Sequence, residues 1–173
     1  MEEKKEPWMQ SVALATTLFA VFAAIASLKG SSYSTRVQLM TTEENSSWSY
    51  YQAKSIKQNI CQLQVSTFEG NLINATPEKN AYYANKIDEA KKEISRYDKE
   101  KKEIFDKASK LGEKEKHFQK QSGNFHIAVM FLQIAIMLNS VGALLKQKQL
   151  WIVGVIVGLF GAIYFINGFF LLF

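Results

Sequence analysis

Three long runs of uncharged, mostly apolar residues constrain this chain more than any other feature. They cover Val12–Leu28, Ile127–Leu145 and Leu150–Phe173, and none contains Asp, Glu, Lys, Arg or His. A bilayer core about 30 Å thick requires roughly 20 helical residues, and the runs are 17, 19 and 24 residues long. The 95 residues of Gly30–Asn124 are too few to enclose three such helices in a soluble core. We therefore predict an all-α integral membrane protein with three transmembrane helices.

The first run also shares features with a signal peptide. Lys4 and Lys5 precede it, and Ala24-Ile25-Ala26 resembles a cleavage site near its end. We interpret the run as a retained anchor. The predicted organisation is a transmembrane anchor at residues 1–29, an extramembrane segment at 30–124 and a two-span transmembrane hairpin at 125–173.

The segment between the first two runs carries most of the charge. Within Gly30–Asn124 there are 16 Lys and Arg against 13 Asp and Glu, and the two signs are interleaved along it. A nucleic-acid-binding surface usually presents a stripe of one sign. We therefore expect the lipid bilayer as a partner and no nucleic acid.

Local signals predict two helices in this segment. Lys29–Ser32 should end or bend the first helix, and Thr41–Glu44 has the spacing of a capping box, which predicts a new helix from about residue 42 to Phe68. The expected apolar stripe of that helix faces its partner, with Lys54, Lys57 and Gln58 turned away; its members are Trp48, Tyr51, Ile56, Ile60, Leu63 and Phe68. Gly70–Thr76 predicts the turn, and Pro77 the start of the next helix.

From Pro77 onward, apolar residues follow a heptad pattern over six repeats. This pattern predicts a coiled-coil seam formed by Tyr83, Ile87, Ala90, Ile94, Tyr97, Ile104, Ala108, Leu111 and Phe118. Lys101 and Glu115 occupy seam positions, where they either fix the register or interrupt the seam for water. With the helix before it, the seam predicts a long, water-exposed helical hairpin.

Lys146–Gln149 alone joins the last two runs, which predicts a tight antiparallel turn. Small and polar residues in these runs are typical of close helix packing in membranes. The predicted packing residues are Gln133, Asn139, Gly154, Gly158, Gly161 and Asn167.

The sequence contains no catalytic, metal or nucleotide-binding motif on which an activity could be based. Glu113 and His117 could share a helix face, but His126 and Cys61 have no spacing that completes a metal site. We expect no enzyme activity, no cofactor and no metal.

Trp48, Tyr50, Tyr51, Lys54 and Lys57 combine aromatic rings with basic side chains on one amphipathic helix. Such a surface could contact lipid headgroups or a protein partner. The alternative interpretation is that Trp48 and Tyr51 begin the seam against the long helix.

Two stretches carry a resemblance to a known family: Glu6-Pro7-Trp8 through Ala23–Ala26, and Trp48–Lys57 (WSYYQAKSIK). With the charged coil and the terminal hairpin, they resemble an uncharacterised bacterial membrane family, the domain of unknown function numbered 4337. The resemblance implies a location in the bacterial envelope and assigns no functional residues.

Two functions remain open at this stage. The first is a membrane-anchored scaffold that forms a homo-oligomer or recruits a protein partner. The second is an oligomeric channel or transporter subunit with an uncharged polar pore. Lys4, Lys5, Lys146 and Lys148 favour a cytoplasmic side for the termini and short loop, with the coil on the periplasmic side of the inner membrane. The opposite orientation is favoured by Lys29, Arg36, Lys114, Lys116 and Lys120, but these flank a loop long enough for the rule to weaken. We predict the periplasmic placement.

Overall fold

The computed structural model describes residues 7–73 and 75–172, which form three α-helices. Helix α1 spans Pro7–Leu72, α2 spans Pro77–Leu144 and α3 spans Lys148–Phe170. These described ranges contain no β-strand, and each helix includes a stretch long and apolar enough to cross a membrane. The predicted all-α class with three potential spans is confirmed. The predictions for Lys4, Lys5 and Phe173 concern positions outside the described residues.

Helix α1 does not end after its apolar run, and this part of the prediction was wrong. The helix continues through Lys29–Ser32, and just beyond them the hydroxyl of Thr35 donates to the carbonyl of Ser31, one turn earlier, at 3.1 Å. Glu44 accepts a hydrogen bond from the indole of Trp48 at 3.1 Å. The apparent capping box therefore lies inside a helix, where no free N-terminal amides need a cap.

Gly30 shows why a small residue occurs in the middle of this helix. It is buried, and a Cβ at this position would lie 3.3 Å from side-chain atoms of Phe125 and His126. The glycine allows α1 and α2 to approach each other.

The predicted turns lie close to their expected positions. Helix α1 ends at Leu72 and α2 begins at Pro77, and the carbonyl of Thr76 accepts from the amides of Lys79 and Asn80. The second turn is shorter than Lys146–Gln149, because α3 already begins at Lys148. Lys146 has a positive φ of 54°, and the amide of Gln147 donates to the carbonyl of Gly142 at 2.9 Å.

Contacts divide the chain into two units. Unit 1 contains the N-terminal residues up to Gln38 and the residues from Glu115 onward, and unit 2 contains Leu39–Lys114. The segment boundaries that we placed after residues 29 and 124 stay predictions.

Glycines on one face of α3 receive large side chains from α1 and α2 in unit 1. An ideal Cβ on Gly158 would overlap the ring of Phe19, and one on Gly161 would lie 2.8 Å from Cγ of Leu132. Phe19 and Leu132 belong to one buried cluster with Ala23 and Ala135. Shape complementarity at glycine therefore positions α3, a mode of packing that is typical of membrane helices.

Gly158→Ala should destabilise unit 1, because the added methyl group forces the buried ring of Phe19 to move. Overpacking of this kind costs about 1–3 kcal/mol. The measurement is the free energy of unfolding in detergent micelles.

Gly123→Ala is the matched control, because nothing lies within 4 Å of a Cβ there. A helical glycine in open space should tolerate alanine or gain about 0.5–1 kcal/mol. Equal effects of the two substitutions would contradict this account of the glycine face.

Candidate functional site

Unit 2 packs the second half of α1 against the first half of α2. Lys54 contacts Glu100, and Glu69 contacts Lys91. Rising residue numbers on α1 therefore pair with falling numbers on α2, which makes the two segments antiparallel. The candidate surface of Trp48–Lys57 lies on the α1 segment.

The heptad-spaced residues of α2 are the ones that lose solvent contact. Ile87, Ala90, Tyr97, Ala108 and Leu111 are buried, and the remaining predicted seam positions are half-buried: Tyr83, Ile94, Ile104 and Phe118. Ile87 and Ala90 share a hydrophobic cluster with Val65 of α1. Phe118 belongs to unit 1, where its ring stacks on Tyr33 with centroids 5.9 Å apart. In unit 2 the seam therefore has a partner within the same chain.

Gln58 is a polar residue at the centre of the contact between the helices. It is only 6% exposed; its amide nitrogen donates to Asp98 Oδ1 at 2.5 Å, and its oxygen accepts from Lys101 Nζ at 2.9 Å. Lys101 Nζ also lies 5.1 Å from the ring centroid of Tyr51. The ammonium group of Lys101, at a seam position of α2, therefore has its partners on α1. This charge explains why a polar residue of α1 lies opposite Lys101.

Lys54 forms the second polar contact across the helices. Its Nζ lies 2.5 Å from Glu100 Oε2 and 5.4 Å from the ring centroid of Tyr97. The hydrogen bond from Lys54 and the charges of Lys54 and Arg96 lower the pKa of the Glu100 carboxyl against the opposing effect of desolvation. The ionised form of Glu100 is therefore the form that the folded unit favours.

An aromatic cluster extends this contact. Trp48 packs edge-to-face on Phe105 of α2 and on Tyr51, with centroids 5.7 and 5.8 Å apart. Trp48, Tyr51 and Lys54 thus contact side chains of α2, which agrees with the alternative interpretation of Trp48 and Tyr51. Tyr50 is 64% exposed, and Lys57 is exposed as well.

Trp48, Tyr51 and Phe68 of the predicted apolar stripe contact α2, but the aliphatic half of the stripe faces away from it, and there our prediction was wrong. Ile56, Ile60 and Leu63 are 60%, 52% and 69% exposed, whereas Gln58 and Lys54, which we predicted to turn away, contact α2. At this level α2 presents Asp98, Glu100 and Lys101, which form hydrogen bonds or an ion pair with Gln58 and Lys54.

Unit 1 contains the residues predicted to pack the transmembrane helices. Most of them are buried: Asn139, Gly154, Gly158, Gly161 and Asn167. Asn167 Oδ1 accepts from the amide of Leu172 at 2.6 Å, and Asn139 packs on Gly154. Gln133 is exposed, so it is not one of the side chains that pack these helices within the chain.

Sequence reasoning missed two features of unit 1. Gly168 lies seven residues after Gly161, and a Cβ there would be 2.9 Å from the ring of Phe125; the heptad spacing of the glycines was a signal for it. Ser34 Oγ lies 2.7 Å from Ser122 Oγ and 3.2 Å from His126 Nε2. No sequence signal pointed to this chain of hydrogen bonds, because α1 and α2 contribute distant residues.

Within the described part of the chain, no three His, Cys, Asp or Glu side chains form a group that could hold a metal ion. Cys61 is a half-buried free thiol.

Acidification should weaken unit 2 through Glu100. A carboxyl whose pKa is lowered in the folded state stabilises the fold above its unfolded-state pKa, and this contribution is lost as the pH falls through the folded-state pKa. Glu100→Gln should therefore lower the melting temperature near pH 7 and have a smaller effect at about pH 3. Thermal unfolding followed by circular dichroism provides the measurement.

Glu103→Gln, at an exposed position on the same helix, serves as the control and should change the melting temperature equally little at both pH values. If the Glu100→Gln variant and the unmodified chain lose stability in parallel on acidification, Glu100 does not have the role described.

Comparison with curated proteins and with solved structures found no match. A family model described as Domain of unknown function (DUF4337) matches residues 8–171, which covers all three helices. The chain belongs to this family.

Proposed function

We propose that this chain is a membrane-anchored scaffold of the bacterial envelope without catalytic activity, and that unit 2 is its interaction module. In this proposal the apolar stretches of the three helices anchor the chain. The α1 and α2 segments of unit 2 form a water-exposed coiled-coil hairpin.

The charged surface of unit 2 supports its exposure to water. Ion pairs link exposed side chains on α2, such as Lys92 with Asp88 at 2.6 Å and Arg96 with Glu93 at 2.5 Å. These side chains are 42% to 75% exposed. Such a density of charge is too costly in contact with lipid chains, so the surface suits the aqueous side of an interface.

The observation that carries the proposal is the outer face of α1 in unit 2. Ile56, Ile60 and Leu63 are more than half exposed on that face, and Tyr50 and Lys57 lie exposed near them. The opposite face of α1 already has its partners on α2. An exposed apolar stripe bordered by an aromatic and a basic side chain is typical of a protein interaction surface.

The orientation is part of the proposal. Lys146 and Lys148 flank the short turn between α2 and α3, and with Lys4 and Lys5 they favour a cytoplasmic position for that turn. Unit 2 would then lie on the periplasmic side of the inner membrane. The channel hypothesis loses two of its polar side chains, because Asn139 and Asn167 are buried within the chain, and of the residues named for packing only Gln133 is exposed.

Photo-crosslinking in intact bacterial cells tests the scaffold function. A photoreactive amino acid at position 50 or 57 should give discrete protein adducts of higher mass. The same amino acid at position 62, an exposed site away from the stripe, is the control and should give far fewer. If neither position 50 nor position 57 gives protein adducts above the control, unit 2 is not an interaction module.

The orientation has its own test. Gln62→Cys in a Cys61→Ser background places one exposed thiol on α1. An impermeant maleimide should label it in intact spheroplasts. Labelling that begins only after lysis would contradict the periplasmic placement of unit 2.

A further inference from the structure

A second heptad stripe runs along the outer face of α1 in unit 2. Its positions alternate at spacings of three and four residues, and none carries a charge: Leu39, Thr42, Ser46, Ser49, Ala53, Ile56, Ile60, Leu63 and Thr67. Four of these residues are large and aliphatic, and they are 52% to 69% exposed: Leu39, Ile56, Ile60 and Leu63. The other five are Ser, Thr or Ala. A stripe with this period is the pattern of a coiled-coil seam.

This outer stripe is separate from the contact with α2. Gln58 and Val65 lie on the opposite side of the helix and are buried against α2. Helix α1 therefore has two faces, of which one is occupied within the chain. The outer stripe can be covered without breaking any contact of unit 2.

We propose that the outer stripe of α1 binds the outer stripe of a second copy of this chain, as a parallel two-stranded coiled coil. The inference rests on the proposed function, because it takes unit 2 to be water-exposed and both copies to be anchored in one membrane. Two α1 helices anchored in the same orientation run in the same direction, which favours a parallel pair.

The identity of the residues favours a second copy as the occupant. Ile60 and Leu63 follow the order of β-branched residue at a and leucine at d, which favours two parallel strands. The positions beside the stripe are mostly uncharged, with Gln52, Asn59 and Gln64 among them. An identical stripe matches this surface, whereas the outward residues of α2 are largely charged.

The exposed area is sufficient for a dimer. Each large aliphatic side chain of the stripe offers on the order of 100 Å², and the neighbouring polar stems and Tyr50 bring the face to roughly 600 Å² per copy. A pair of such faces exceeds the total of about 1,000 Å² that a specific interface needs.

Disulfide crosslinking of the full-length protein in liposomes tests the pairing. Ile60→Cys and Leu63→Cys, each in a Cys61→Ser background, should form a disulfide-linked dimer under mild oxidation. Gln62→Cys is the matched control, because it is exposed on the same turn of α1 but lies outside the stripe. We expect the stripe positions to crosslink about tenfold faster than the control, since pairing raises the local thiol concentration.

Equal rates at the three positions would overturn the proposal. Crosslinking at position 60 without crosslinking at position 63 would overturn the parallel arrangement.

A second variant separates loss of pairing from loss of folding. Ile60→Lys places a charge on the outer stripe and should convert the dimer to a monomer in detergent, as measured by light scattering. Its helical content should remain unchanged, because Ile60 does not contribute to the α2 contact. A dimer that persists in Ile60→Lys would contradict the proposal.

The two proposals fail in different ways. Adducts from positions 50 and 57 that contain only a different protein would overturn self-pairing and support the scaffold. The absence of all adducts in cells would overturn the scaffold function itself.

Discussion

The hydrogen bonds of Gln58 determine how the two helices of unit 2 meet. Gln58 is buried, so its amide would be expensive to leave without partners, and its partners are Asp98 and Lys101. If α1 rotated to bring Ile60 inward, both groups would lose this partner. The polar contact therefore fixes the rotation of α1, and the apolar stripe is left on the outside as a consequence.

Unit 1 is built on a different principle. The apolar stretches of its helices contain few groups that can form hydrogen bonds across the contact, and in lipid such stretches would have no hydrophobic driving force between them. Close packing of side chains holds these stretches together instead of hydrogen bonds. Phe19 fits over Gly158 and Phe125 over Gly168, so the absence of a Cβ on α3 provides the space that the aromatic rings of α1 and α2 occupy. In unit 2, ion pairs and aromatic contacts hold the two helices together.

Much of the fold could be predicted from local sequence patterns. Uncharged runs identified the three potential spans, and Thr76-Pro77 identified the start of α2. The continuity of α1 could not be predicted from the sequence, because Gly30 and the Thr41–Glu44 motif resemble the end and the start of a helix until their tertiary contacts are known. Ile56, Ile60 and Leu63 were predicted to face α2 and do not, because hydrophobicity alone cannot show that Lys101 and Asp98 lie opposite. Trp48 and Tyr51 of the candidate surface were recognised, and one of the two interpretations of them named α2 as their partner.

The central claim is that the polar face of α1 packs on α2, and paired cysteines test it most directly. In a Cys61→Ser background, Val65→Cys combined with Ala90→Cys joins two positions of one hydrophobic cluster. Leu63→Cys combined with Ala90→Cys uses a neighbouring position on the exposed stripe. The account predicts a disulfide within one chain for the first pair and none within one chain for the second. An intrachain disulfide that forms only with the Leu63→Cys pair would contradict it.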